Sequence, residues 1–471
     1  MAASALCLAA AFAQPAHAHQ AFNGPLGLLT SEPDALQGYT LIAPQMAKKT
    51  YLVDMKGNVV QEWDSEYLCF FAMLDPKTGN LLRHSVSPTP LPAFGGQSGL
   101  IEEFDWTGKL VWQFNTVSEG ATEFSHHTFS VMPNGNILAL IWKQHSLDDA
   151  VAKGLDPNAP GRMLMPDGLN IAGKKVQGIF VDVVREIERG TGKTVWEWDV
   201  WDHLGTGPDQ IDINKFVRLP GRPEWAGPDW THFNGVSYNP ETNEVCMSSR
   251  NLDEIYIIDY GKNDGVKMRW GNPANYGKGA APSRYSDDGD QELFGPHGCV
   301  WTPEGTISIF DNGNNRPSGN YSRYVEITRE GKIVREWKPS MMGVFDYNFY
   351  TSLQGGAQKL ANGNLLLTGT QNGNIIEVTP DNRIVWEFIN PMGTNDKIYT
   401  STSNQGFAQQ MRLHKAWRYT ADDQELKGKD LSVKHPLMPE GTPDWVTLLK
   451  SGTDDPDSPK FIKEHQPADK K

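Results

Sequence analysis

The chain has 471 residues, of which 38% are hydrophobic and 10% aromatic, enough for one large domain or two to three smaller ones. Its formal net charge is −14 and it has no cluster of Lys and Arg, so it lacks the basic face that nucleic-acid-binding proteins need, and the charge also disfavours anionic membrane surfaces. The 46 Gly and 31 Pro favour many short strands joined by turns over long helices.

The N-terminal segment MAASALCLAAAFAQPAHA (1–18) is apolar and rich in small residues, and it ends in A-H-A. This pattern is typical of the core and cleavage site of a secretory signal peptide, although the usual basic start is missing. The sequence therefore predicts a periplasmic or secreted protein; the alternative is a disordered N-terminus. No later segment reaches 18 apolar residues, so no membrane insertion is expected. Cys69, Cys246 and Cys299 would remain after cleavage and cannot form a disulfide framework.

Two sequence units recur along the chain. The first is a turn followed by a short strand that ends in an aromatic residue, and its six copies are DMKGNVVQEW (54–63), FDWTGKLVWQF (104–114), IERGTGKTVWEW (187–198), IDYGKNDGVKMRW (258–270), ITREGKIVREW (327–337) and VTPDNRIVWEF (378–388). The second unit, two apolar strands around a turn, precedes five of them as AMLDPKTGNLLRH, SVMPNGNILAL, VSYNPETNEVCM, CVWTPEGTISIF and QKLANGNLLLTG. Together the units give four short strands per repeat, which is typical of a propeller blade.

Six repeats predict an all-β fold, a six-bladed β-propeller with four-stranded antiparallel blades over residues 19–392. A C-terminal extension and loose tail are predicted for 393–471. The first repeat lacks its leading strands. GYTLIAP (38–44) can supply one strand, and either residues 20–30 or the segment MRLHKAWRYT (411–420) can supply another, which would close the ring and hide the sheet edges. Long loops are expected to cover one mouth of the channel, and these are 85–99, 144–177, 199–231 and 271–293.

Three of the 12 histidines occupy the same place in consecutive repeats. His127, His232 and His297 each lie seven residues before the turn that separates the first two strands of their repeat. The equivalent positions in the flanking repeats are roughly Phe71 and Gly355. Since the first strand of each blade lines the channel, the register predicts that the three imidazoles face one axial cavity.

Polar neighbours extend this predicted site. His126 alternates with the next residue along its strand and should face away from the cavity. Arg250 ends the second strand of its repeat, so the antiparallel return should bring it beside His232, where a guanidinium can hold an oxyanion. Asn234 and Asn312 are candidates for binding substrate or orienting a histidine. The alternative interpretation is a set of hydrogen-bonded structural histidines and a surface salt bridge for Arg250.

The stretches SHHTFSVMPNGNILAL, DWTHFNGVSYNPETNEVCMSSRN and FGPHGCVWTPEGTISIFDNGNNR resemble those of bacterial arylsulfate sulfotransferases that do not use PAPS. A looser similarity runs from GAQKLANGNLLLTGTQNGNIIEVTPDNRIVWEF to KAWRYTADDQELKGKDL, so that the resemblance covers most of residues 40–430. It implies a six-bladed propeller with its site in the central channel and sulfuryl transfer between phenols through a sulfurylated histidine. The best-known members carry an additional N-terminal β-domain, for which we expect no room in this chain.

Carried over by motif, the resemblance implies that His297 is the nucleophile and that His127, His232 and Arg250 are its catalytic partners. A neutral imidazole is a good nucleophile near pH 7, and the expected ping-pong reaction needs neither a metal nor a nucleotide cofactor. Two alternatives stay open. The three histidines could hold iron, copper or zinc for oxygenase, lyase or hydrolase chemistry, or the propeller could bind a small aromatic molecule without catalysis. The sequence leaves donor, acceptor and oligomeric state undetermined.

Overall fold

The computed structural model describes residues 24–92, 94–157, 169–171, 174–176, 178–215, 228–394, 396–399 and 411–450. The predicted signal peptide at 1–18 lies outside these residues. Six antiparallel sheets of four or five strands dominate the described secondary structure, which confirms the predicted six-bladed propeller. In this part of the chain no helix has the length and apolar character needed to cross a membrane.

Each blade, numbered here in chain order, has four strands from the channel outward. The inner strands of blades 1 to 6 are Trp417–Tyr419, Cys69–Leu74, Glu123–Val131, Phe233–Asn239, His297–Trp301 and Gly356–Lys359. The second strands are Tyr39–Ile42, Leu81–Val86, Ile137–His145, Glu244–Ser249, Ile307–Asp311 and Leu365–Gly369. The third strands are Lys49–Val53, Gly99–Phe104, Ile179–Ile187, Glu254–Asp259, Arg323–Ile327 and Asn374–Val378. The outer strands are Asn58–Asp64, Leu110–Asn115, Thr194–Asp199, Met268–Trp270, Ile333–Trp337 and Ile384–Ile389.

Short elements complete the described part of the chain. Additional strands comprise Gly27–Ser31 on the outer edge of blade 6, His435–Pro436 on that of blade 1, and the hairpin Leu169–Ile171 with Lys174–Val176. The α-helices are Leu147–Ala152 and Trp445–Lys450. The 3₁₀ turns are Glu119–Ala121, Val200–His203, Pro273–Tyr276, Pro339–Met342 and Asp346–Asn348.

The ring is closed by pairing two distant parts of the chain. Trp417–Tyr419, within the segment MRLHKAWRYT, pairs antiparallel with Tyr39–Leu41 and forms the inner strand of blade 1. Gly27–Ser31 instead pairs with the outer strand of blade 6. The propeller thus continues past the expected boundary at residue 392, because the inner edge of blade 1 would otherwise expose unpaired backbone groups.

Apolar side chains fill the interfaces between neighbouring blades. Between blades 3 and 4, for example, Val184 and Trp198 of one sheet belong to the same buried cluster as Phe233 and Tyr256 of the next. Because both faces of each sheet are buried in this way, the ring holds the ends of its inner strands in fixed relative positions.

A buried arginine ties the closing strand to blade 6. The Arg418 guanidinium donates to Thr40 Oγ1 at 2.9 Å and to the Leu36 carbonyl at 2.6 Å. It also forms a 3.0 Å ion pair with Glu377, and it lies over the Trp386 ring. A buried charge pair of this kind is costly to break, since the remaining partner stays buried without compensation.

Replacing Arg418 with Met should lower the free energy of unfolding in urea by about 3–5 kcal/mol, because Glu377 would remain buried without its partner. R383Q is the matched control, since the Arg383 ion pairs with Asp34 and Asp381 are exposed, and it should leave the urea midpoint unchanged. Equal shifts in the two variants would contradict a closing role for Arg418.

Candidate active site

A cavity of about 760 Å³ lies where the six blades meet. Blades 1 to 6 each contribute to its wall a side chain at the inner strand or just before it, namely Arg412, Phe70, His127, His232, His297 and Gln354. Arg250 also lines the cavity, and its backbone N–H donates to the His232 carbonyl at 3.1 Å. The structure therefore brings the three histidines and the arginine together.

The imidazoles form one cluster. The ring centroid of His127 lies 4.6 Å from that of His232 and 6.3 Å from that of His297. The indole of Trp142 lies behind them, with its ring centroid 5.8 Å from that of His127 and 5.7 Å from that of His232. Within the described ranges, no group of three or more His, Cys, Asp or Glu side chains is arranged to hold a metal ion.

Unusual backbone conformations aim two of these histidines. His127 has a φ of 53° and His232 a φ of 48°, values in the left-handed region that residues other than glycine rarely adopt. The register also shifts near the start of the inner strands of blades 2 to 5. Bulges of this kind re-aim side chains and are over-represented beside active sites.

The same irregularities change which residues of the flanking blades reach the cavity. In blade 2 the register shift lies between Cys69 and Phe71, and Phe70 lines the wall in place of the expected Phe71. In blade 6 the wall residue is Gln354, with a φ of 51°, and not the expected Gly355. Counting seven residues back from the turn finds the part of each inner strand that lies at the cavity. Which residue there lines the wall depends on the local backbone conformation.

His126 lies behind His127 and fixes its tautomer. The His126 ring stacks on Trp142 at 3.9 Å, and its Nε2 lies 2.8 Å from Asp182 Oδ1, whose negative charge favours a proton on that nitrogen. Its Nδ1 then accepts the hydrogen bond that joins it to His127 Nδ1 at 2.8 Å. His127 consequently donates from Nδ1 and presents an Nε2 lone pair.

A carboxylate holds His232 in the same tautomer. Asp229, three residues earlier, accepts from His232 Nδ1. The Asn251 side-chain amide donates to the Asp229 carbonyl at 3.1 Å, which ties this loop to the end of the second strand of blade 4. Asp229 was not among the residues predicted from the sequence, although the D-x-x-H spacing in DWTH could have identified it.

An amide holds His297. The Asn312 side-chain nitrogen donates to the carbonyls of Thr351 and Gln354, both at 2.7 Å, so its Oδ1 must face the histidine. That oxygen accepts from His297 Nδ1 at 2.7 Å. The Gln354 N–H donates to His297 Nε2 at 3.2 Å, as expected if this nitrogen carries no proton.

Two buried aspartates fix the turn that leads into His297. Asp253 accepts from the Gly295 N–H at 2.5 Å, and Asp311 accepts from the Phe294 N–H at 2.9 Å. Burial raises the pKa of Asp253 to about 8. Since Asp253 directly precedes the third strand of blade 4 and Asp311 belongs to the second strand of blade 5, the turn is anchored from both blades.

The two asparagines predicted as substrate ligands lie behind the histidines. Asn234 donates to the Pro296 carbonyl at 2.8 Å and accepts from Ser248 at 2.6 Å. Neither Asn234 nor Asn312 is among the residues that line the cavity, and the polar atoms of both bind protein groups. In this geometry they can orient backbone and imidazole groups.

A glycine loop lies against the cluster from one side. Gly96 accepts from the His127 N–H at 2.8 Å, and a Cβ added at Gly96 would overlap the His127 ring. The loop is held by Phe94, whose ring packs 5.4 Å from Trp142. It belongs to the expected cover over 85–99, and Asp229 belongs to the one over 199–231. Described residues of these two predicted loops therefore line the cavity.

Burial lowers the pKa of two of the three imidazoles. The pKa of His127 is held well below its usual range by burial and by the neighbouring histidines, above all His232. The pKa of His297 is also well below its usual range, because of burial and the charge of Arg250, which outweigh its bond to Asn312. Both imidazoles are therefore neutral near pH 7, as a nucleophile or proton acceptor must be.

This assignment predicts that ¹⁵N NMR at about pH 6 will find His127 and His297 neutral, protonated on Nδ1 and bare on Nε2. Spectra of H127Q and H297Q would identify the two signals. A proton on Nε2, or titration of either ring near pH 6.5, would contradict the geometry. Because unfolded histidines take up protons near pH 6.5 and these do not, stability should fall as the pH drops below about 6.5.

The sequence is similar to one described protein family and to curated members of it. The family model for arylsulfotransferases (ASST) matches residues 159–399, just over half of the chain. The arylsulfate sulfotransferase AssT of Escherichia coli O6:H1 is 21% identical over 357 residues, covering 64% of this chain and 54% of that protein. Its counterpart from Lelliottia amnigena is 22% identical over 386 residues, covering 70% of this chain and 58% of the relative. The chain thus spans little more than half the length of these curated relatives.

Among solved structures, a protein of unknown function from Bacteroides caccae aligns with 81% of this chain and 99% of its own, with a TM-score of 0.45 and 10% identity. The family match includes the segments that carry His232, Arg250 and His297. Since it also extends over more than half of the residues, the chain belongs to the arylsulfotransferase family.

Proposed function

We propose that this protein transfers a sulfuryl group from an aryl sulfate to a phenol by a ping-pong reaction through a sulfated His297. The observation that carries the proposal is the set of three Nε2 lone pairs beside Arg250 in one buried cavity, in a chain of the arylsulfotransferase family. The signal-peptide pattern at 1–18 supports a periplasmic or secreted location for this reaction.

In the first half-reaction, the lone pair of His297 Nε2 forms a bond to sulfur. The bond between sulfur and the phenolic oxygen breaks, and that oxygen takes the electron pair. Asn312 Oδ1 accepts the Nδ1–H of the resulting N-sulfo-imidazolium, which spreads its positive charge. The Gln354 N–H is released from Nε2 as the new bond forms and becomes available to a sulfuryl oxygen.

Side chains of the cavity stabilise the charge that develops during transfer. Arg250 offers a permanently charged, planar donor set to the sulfuryl oxygens. Before the donor reacts, His232 Nε2 takes up a proton from solvent. That proton passes to the departing phenoxide, and until then the Asp229 carboxylate balances the charge of the imidazolium. The neutral His127 Nε2 accepts from a phenolic O–H and so orients the leaving or entering oxygen.

The second half-reaction reverses these steps with a different phenol. The entering O–H gives its proton to His232 Nε2 as the oxygen attacks sulfur, and the N–S electron pair returns to His297. Apolar wall residues, among them Phe70, Phe94 and Leu353, suit the flat aromatic rings of donor and acceptor. Every atom and proton is accounted for without a cofactor.

Replacing His297 with Ala should lower kcat/KM for transfer from 4-nitrophenyl sulfate to phenol by at least about a thousandfold, because the nucleophile is lost. Mass spectrometry of the wild-type protein treated with donor alone should find one SO₃ group on the His297 peptide. H203Q is the control, since His203 is a buried histidine stacked on Trp198 outside the cavity. Near-normal turnover by H297A, or turnover that needs a bound transition metal, would refute the mechanism.

Replacing Asn312 with Leu should lower kcat by about a hundredfold with little change in KM, because the imidazole loses its orienting acceptor. The same variant should shift the His297 tautomer in ¹⁵N NMR, a readout that general destabilisation would not move. N364L is the matched control, because Asn364 is equally buried but bonds to Glu377 and Asp34 outside the cavity. An unchanged tautomer in N312L would rule out the positioning role.

A further inference from the structure

Arg412 is a cation of the cavity wall that the chemistry above does not use. It lies on the segment that closes the ring, just before the inner strand of blade 1. Its carbonyl accepts from the Gln45 N–H at 2.7 Å, and the next residue, Leu413, donates to the Thr370 carbonyl at 3.4 Å. The backbone of Arg412 is therefore held by both blade 1 and blade 6.

The guanidinium of Arg412 has no anionic partner among the described residues. Its Nε is buried with no hydrogen-bond acceptor, and burial lowers its pKa with no acidic side chain to oppose the effect. The adjoining residues 400–410 contain neither Asp nor Glu. Leaving such a donor without an acceptor is costly, which indicates that the site is built for an anion supplied from outside.

Other buried arginines of this protein are treated differently. Five of them have a carboxylate within ion-pair distance, in the pairs Arg83–Glu102, Arg269–Glu254, Arg316–Asp311, Arg323–Asp311 and Arg418–Glu377. Arg250, which the proposed reaction assigns to the sulfuryl group, forms a side-chain hydrogen bond to Asn251 and no ion pair with the described residues. The fold thus pairs the guanidinium groups that it buries for structural reasons. The unpaired state of Arg412, in a cavity open to ligands, points to binding.

The surroundings of Arg412 suit an aromatic ring. Met46 is held by a 2.7 Å bond from its N–H to the Cys69 carbonyl, and it lines the cavity together with Phe70 and Arg412. Arg250 belongs to a different wall of the cavity, built by blades 4 and 5 with the reactive histidines. One guanidinium is thus available for the sulfuryl group, and a second lies beside apolar side chains that can contact a ring.

We propose that Arg412 binds a carboxylate carried by the aromatic ring of the donor or acceptor, while the sulfuryl group lies between His297 and Arg250. A planar guanidinium matches a carboxylate with two parallel hydrogen bonds. The substrate class is then aryl sulfates and phenols that bear a second anionic group. This assignment rests on the proposed sulfuryl transfer for its catalytic part, and its binding part can be measured without turnover.

The test compares 4-carboxyphenyl sulfate with its methyl ester as donors, and 4-hydroxybenzoate with methyl 4-hydroxybenzoate as ligands in calorimetry. The wild-type protein should favour the carboxylate in each pair by about ten- to a hundredfold, the usual worth of a charged hydrogen-bonded pair. R412Q should lose this preference, so that the ratio of the values for carboxylate and ester falls close to one, and R412K should keep part of it. R383Q, which changes an exposed arginine, should behave as wild type.

Two results would overturn the proposal. One is a wild-type protein that does not prefer the carboxylates, which decides the question even if R412Q does not fold. The other is a variant R412Q that weakens carboxylate and ester equally, since Arg412 would then act on the sulfuryl group or on the fold. If no donor is turned over but 4-hydroxybenzoate still binds through Arg412, the proposed transfer fails and the anion site stands.

Discussion

The pairing of Trp417–Tyr419 with Tyr39–Leu41 is the constraint on which the cavity depends. It completes blade 1 with a strand from the opposite end of the described chain and so fixes the circumference of the ring. The same pairing carries Arg412 to the cavity wall and buries Arg418 against Glu377. An open ring would leave a sheet edge unpaired and would release the inner strand ends from their common axis.

Within that ring, three unlike groups impose one tautomer on three histidines. His126, Asp229 and Asn312 each bind an Nδ1, and each comes from a different blade or connecting loop. The result is a set of Nε2 lone pairs turned toward one space, which suits nucleophilic attack and proton exchange at neighbouring oxygens. Burial contributes as well, because it holds the pKa of two of these imidazoles low and keeps the lone pairs available.

Much of the architecture could be predicted from local patterns. A turn followed by an aromatic-ended strand is a property of about ten consecutive residues, so its six copies gave the blade number before any contact was known. The position of the site along the blades could be predicted as well, because His127, His232 and His297 lie the same number of residues before the turn of their repeats. In the two flanking blades the prediction was wrong by one residue, since Phe70 and Gln354 line the cavity in place of Phe71 and Gly355. A register shift in blade 2 and a left-handed backbone at Gln354 cause this difference, and the alternation of residues along a strand does not predict either of them.

The sequence by itself determined the repeat, its number and the shared register of the three histidines, because each depends on residues close together in the chain. Only the tertiary structure decided which groups orient the imidazoles and which charged group of the cavity wall lacks an ion-pair partner among the described residues. Asn312 reaches His297 across a hairpin and the next blade, and Arg412 enters through ring closure over more than 350 residues. Those relations are contacts between distant segments, and they exist only once the sheets have packed around a common axis.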